Sequence, residues 1–79
     1  MRDVDAVRLV MDALHDATDK HGPMASPHEG YAVILEELEE LWEEIRGDRG
    51  RWPKARTEAA QVAAMALRYL IDFAPELEP

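Results

Sequence analysis

Six glutamates stand among the twelve residues from Ile34 to Ile45, in the stretch ILEELEELWEEI, and a further glutamate, Glu58, follows beyond a basic segment. Carboxylates at this density do one of two things: they face water, or they hold a cation. On a helical wheel of about 100° per residue, Tyr31, Ile34, Leu35, Leu38, Leu41, Trp42 and Ile45 form one apolar face, and Glu39 and Glu43 point away from it into solvent. Glu37, Glu40 and Glu44 fall instead along one flank of that face, with Glu36 a little further round. Like charges at i,i+3 and i,i+4 cost a helix a few tenths of a kcal/mol each unless a cation lies among them. All-oxygen donors of this kind select a hard ion such as Mg²⁺ or Mn²⁺.

Three helices are expected to position these groups. Val4, Val7, Met11 and Leu14, with Val10 and Ala17 beside them, predict an amphipathic helix over about 3–20. HGPMASP ends it. Ser26 as N-cap, Pro27 at the first helical position and Glu29 three residues after the serine form a capping box. The helix it opens runs over about 27–46, with Gly47 free to take the left-handed terminal conformation. A third helix is expected over about 53–74, opened by Pro53 and stopped by Pro75. It is alanine-rich and apolar nearly all round, with Glu58, Gln61, Arg68 and Asp72 as a polar stripe. If the second and third helices pack antiparallel, Glu58 faces the Glu37–Glu44 flank and a carboxylate cage results. The pattern contains no strand, repeat or second domain, so the chain reads as one all-α domain.

Composition bounds the function. A chain of 79 residues buries only about 60% of its unfolded surface and has a marginal core, so self-association is expected. The net charge of −8 argues against a non-specific grip on nucleic acid or on an anionic membrane, and favours cationic partners. With no cysteine, thiolate metal sites and disulfides are excluded. The apolar run from Ala59 to Leu67 is too short to span a bilayer, and Met1 to Val10 carries no signal-peptide pattern, so the expected location is the cytoplasm.

The order and spacing of EELEEL, Glu36 to Leu41, and EAAQV, Glu58 to Val62, resemble the MazG-like all-α nucleotide pyrophosphohydrolases, whose signature is EExxE followed by ExxD. The resemblance covers about His28 to Phe73. It implies a three-helix MazG-like unit, and because the third helix is apolar nearly all round while the other two each cover one side, that unit is expected to assemble into a dimeric or tetrameric bundle. It also implies Mg²⁺-dependent cleavage of a nucleoside triphosphate between the α- and β-phosphates, giving a nucleoside monophosphate and pyrophosphate. Glu37 and Glu40 would be the first metal pair, Glu58 the third ligand and Glu36 the residue that completes EExxE. Glu36 or Glu40 would serve as general base through a water. Gln61 stands where the family has an aspartate. An amide oxygen ligates without charge, so ions would be held more weakly, or with help from Asp72 or Glu44. The second reading is therefore a catalytically weak or inactive relative, a helical nucleotide-binding or interaction module.

A basic group of candidates lies around the second loop, expected over Gly47 to Trp52. Arg46, Arg49, Arg51, Lys54 and Arg56 put five of the nine basic residues within eleven positions. Lys54 and Arg56, nearest Glu58, are candidates for phosphate oxygens, although Arg46 at a helix C-terminus also serves the macrodipole. Trp52 is a candidate for stacking on a base, and Trp42 for the core or a dimer contact. His15, His21 and His28 lack metal-ligand spacing, and His28, early in the second helix, is the one expected to approach a substrate. Met11, Met24 and Met65 read as packing material.

Overall fold

The computed structural model of the chain describes residues 1–48 and 53–74. It contains three helices, α1 (Asp3–Lys20), α2 (Pro27–Asp48) and α3 (Lys54–Phe73), and no strand among the described residues. All three lie where periodicity and punctuation put them. Several termini have a local cause. Asp3 Oδ1 accepts from the Val4 amide, and Asp3 and Asp5 set negative charge against the positive end of the α1 dipole. The Ser26 hydroxyl accepts from the Glu29 amide at 3.1 Å, as an N-cap should. The Glu29 carboxylate reaches back to the Ala25 amide at 2.9 Å, one residue earlier than the usual capping box. Ala74 is already extended, with φ −81° and ψ 142°, as expected of a residue that precedes proline.

One terminus departs from expectation. Gly47 does not adopt a left-handed cap: α2 continues through it to Asp48, with open space around its Cα. Glycine permits a left-handed stop but does not compel one.

α3 is the central element. Both α1 and α2 pack on it, and α1 and α2 share no Cα pair within 8 Å. Leu14 and Ala17 of α1 meet Ala64 and Met65 of α3 in the buried core, flanked by Val10, Ala13, Val33, Ile34 and Leu67. α2 runs antiparallel to α3, since Gly30 lies against Tyr69 while Glu37 and Glu44 approach Glu58. The contact at Gly30 is tight enough to require glycine: a Cβ there would stand 2.7 Å from Cδ2 of Tyr69. The α1–α2 connection is tied to α3 by two charged side chains of the polar stripe. Arg68 donates to the Gly22 carbonyl at 2.7 Å, and Asp72 accepts from the Met24 amide at 3.0 Å.

The amphipathic faces are only partly consumed by this packing. In α1 the half that packs is Val10, Ala13, Leu14 and Ala17, while Val4 and Val7 are exposed. In α2, Ile34 and Leu41 are half-buried, but Tyr31, Leu38 and Trp42 are exposed. Trp42, at 56% exposed, is therefore not a core residue of this chain.

Candidate metal centre

Glu37 and Glu40 are one helical turn apart on α2, and Glu58 belongs to the second turn of α3. Each offers a carboxylate oxygen, and the three oxygens lie within 4.8 Å of one another. Antiparallel packing brings them together, because the start of α3 lies beside the second half of α2. Glu37 and Glu58 are half-buried and Glu40 is exposed, so the cluster opens to solvent on one side.

The electrostatics are those of a site lacking positive charge. Burial, then repulsion from Glu40, pushes the Glu37 carboxyl up to about 7 from its ordinary value near 4.5. Glu58 is also raised, by burial first and then by its contact with Glu40, with Glu44 adding further repulsion. Oε2 of Glu58 is buried and has no hydrogen-bond partner among the described residues. A buried carboxylate oxygen without a donor is costly, and a cation among these three groups relieves both that cost and the repulsion. The donor set, all carboxylate oxygen on two rigid helices, fits Mg²⁺ or Mn²⁺.

Beside the cluster lies a cavity of about 650 Å³, bounded by all three helices and the α1–α2 connection. Its polar lining includes Asp16, Glu29, Glu36, Glu37 and Gln61 together with Lys20 and Arg68. Gln61 thus shares the cavity with Glu37, and Glu36 faces the same space. Asp72 does not join the carboxylates: it holds the Met24 amide about four turns along α3 from Glu58. Glu44 is near enough to raise Glu58. Glu39 and Glu43 are exposed, as the wheel requires, and Glu43 pairs with Arg46.

The basic candidates are placed less closely. Lys54 and Arg56 are exposed in the first turn of α3, and His28 is exposed in the first turn of α2; none of them lines the cavity. Trp52, Arg49 and Arg51 lie outside the described residues. The cations that do line the cavity, Lys20 and Arg68, had no functional role in the sequence reading. The available signal was a single arginine in the otherwise uncharged run from Ala59 to Ile71. No helix among the described residues is long and apolar enough to cross a membrane. No family model, curated protein or solved structure matches the chain.

Proposed function

We propose that the protein is a Mg²⁺-dependent nucleoside triphosphate pyrophosphohydrolase of MazG-like type, acting in the cytoplasm as a homodimer or as a tetramer of two such dimers. The observation that supports this reading most is the convergence of Glu37, Glu40 and Glu58, from two helices, around an orphaned carboxylate oxygen. These three residues would hold the metal, with Gln61 beside them as a neutral oxygen donor. A divalent ion bound there would supply positive charge to a polyphosphate and polarise a water. Glu36 is the better general base of the two acids considered, because it faces the cavity from outside the three-carboxylate cluster and keeps a free oxygen for the proton of the attacking water. The rigid helical frame fixes the angle between base and phosphate, which is the larger part of what a phosphoryl-transfer enzyme contributes.

Pyrophosphate release from a panel of nucleoside triphosphates, measured with and without Mg²⁺, tests this directly. Glu37→Gln, Glu40→Gln and Glu58→Gln should each lower the rate by orders of magnitude, as loss of a metal ligand does. Glu39→Gln and Glu43→Gln should leave it nearly unchanged. A wild-type chain that binds Mg²⁺ and a nucleotide but releases no pyrophosphate would instead support the second reading, a binding module. Gln61, which brings no charge to the fourth ligand position, is the residue that favours that alternative.

A further inference from the structure

Arg68 is the most deeply buried charged residue among those described, 8% exposed in the second half of α3. Its guanidinium carries five N–H donors. One contact reaches the Gly22 carbonyl at 2.7 Å and another, weaker, the sulfur of Met65 at 3.8 Å. No carboxylate among the described residues lies within ion-pair distance of it. Taking a guanidinium out of water without a counter-ion is expensive, and a neutral side chain such as glutamine would hold one carbonyl at less cost. It lines the cavity that Glu37 and Gln61 also line, and a second, smaller one beside Thr18 and Asp72.

The charge of the cavity lining is mixed: Asp16, Glu29, Glu36 and Glu37 stand against Lys20 and Arg68. Lys20 is paired with Asp16, so Arg68 is the lining Lys or Arg without a carboxylate partner among the described residues. Along α3, Arg68 is seven residues from Gln61, roughly 10 Å of helix rise, and ten residues from Glu58, roughly 15 Å. A single phosphate does not bridge that length, whereas a chain of phosphates does. The volume, about 650 Å³, lies within the range of small-molecule sites.

We infer that Arg68 is a substrate-binding residue that takes the terminal phosphate of a polyphosphate chain whose other end meets the metal at Glu37, Glu40 and Glu58. The inference rests on the metal-dependent reading above. It assigns the anion-binding role to the inner wall of the cavity and away from the exposed Lys54 and Arg56. Arg68 then acts as a gauge of chain length: three phosphates reach it and one does not. The planar fork suits this role because it pairs with two phosphate oxygens at once.

The test uses inorganic tripolyphosphate and inorganic phosphate, so that no base or sugar preference enters. In the intact wild-type chain, the Nε–Hε resonance of Arg68 is followed by NMR during titration with each anion, with and without Mg²⁺. The expected result is a saturable shift of Arg68 with tripolyphosphate, tighter in Mg²⁺, and little response to phosphate. Calorimetry of Arg68→Gln should show tripolyphosphate affinity reduced about tenfold or more, the loss of one charge-assisted contact. Affinity for Mg²⁺ alone should be unchanged, and Arg68→Lys should lie between. If Arg68→Gln does not fold, the wild-type titration decides. An Arg68 resonance that stays still while Lys54 and Arg56 move would overturn the inference. Failure of the metal reading looks different: Mg²⁺ alone would leave the amides of Glu37, Glu40 and Glu58 unmoved, and would not tighten the anion.

Discussion

At the scale of single residues, the chemistry turns on protons that a cation would displace. Without metal, the folded chain keeps a proton on Glu37 up to about pH 7, whereas the unfolded chain releases it near 4.5. Across that window the folded state binds more protons, so stability falls as pH rises through it. With allowance for solvent screening of a partly exposed group, the loss is of order 1 kcal/mol. Urea denaturation in EDTA at pH 5 and pH 8 should show it, and Glu37→Gln should flatten the slope. A wild-type slope equal to that of Glu37→Gln would mean that Glu37 is not the titrating group. Mg²⁺ binds the deprotonated carboxylates, so its affinity should rise with pH through about 7. Glu58→Gln should stabilise the metal-free protein by a few tenths of a kcal/mol through relief of like-charge contact. It should also remove the stabilisation that Mg²⁺ gives the wild type, and a Glu58→Gln variant that still responds to Mg²⁺ would displace Glu58 from the ligand set. Gln61→Asp, which adds a charge beside Glu37, should tighten Mg²⁺ in a direct titration. Glu37, Glu40 and Glu58 were legible in the sequence because helical spacing, together with antiparallel packing of α2 and α3, puts them on facing flanks. Arg68 was legible only as part of a stripe, since its burial depends on where the α1–α2 connection passes.

At the scale of elements, the helix boundaries followed from caps and prolines, and the one misplaced end shows the limit of such signals. Gly47 is a stop only if the chain beyond it needs to turn there. Gly30, by contrast, gave no sequence signal, because its role is set by Tyr69 on another helix. The two glycines should answer substitution with opposite signs. Gly47→Ala adds a methyl to open space in the last turn of α2 and should raise stability by about 0.5 kcal/mol through helix propensity. Gly30→Ala gains the same propensity, but its methyl must displace the ring of Tyr69. Overpacking of this kind costs roughly 1–3 kcal/mol, so the net effect should be a loss of about 1 kcal/mol or more. Chemical denaturation of both variants checks the pair, and a stabilised Gly30→Ala would mean that α2 and α3 are not in this register. Ser26→Ala should cost about 1 kcal/mol as the Glu29 amide loses its acceptor. The same register carries Glu37 past Glu58, so Gly30→Ala should also weaken Mg²⁺ binding, although residue 30 lies about two turns from the nearest ligand.

At the scale of the whole molecule, the fold is thin for its length. Among the described residues six apolar ones are buried, and the two ion pairs, Lys20–Asp16 and Arg46–Glu43, are exposed and lie within single helices. Pairs of that kind contribute about 0.3–0.5 kcal/mol and hold no helix to another. Apolar faces remain that no described element covers: Leu38 and Trp42 on α2, and Val4 and Val7 on α1, are each about half exposed. The amphipathic periodicity of α1 and α2 was visible in the sequence, but periodicity does not say whether a face is covered by the same chain or by a copy of it. A C2 pair that buries the α2 faces against each other places Leu38 and Trp42 at its centre, where aromatic anchors contribute most. Light scattering at micromolar concentration should therefore give twice the mass of one chain. Leu38→Glu and Trp42→Glu should each shift it toward the monomer, because a buried unpaired charge at an interface centre costs several kcal/mol. Val7→Glu, on the other face, should weaken only a second pairing to a tetramer. Glu37 and Glu40 share α2 with the proposed interface, so the monomeric variants should also show a lower thermal midpoint and weaker Mg²⁺ binding. A wild-type chain that is monomeric at that concentration, yet as stable as a domain with a full core, would refute this assembly.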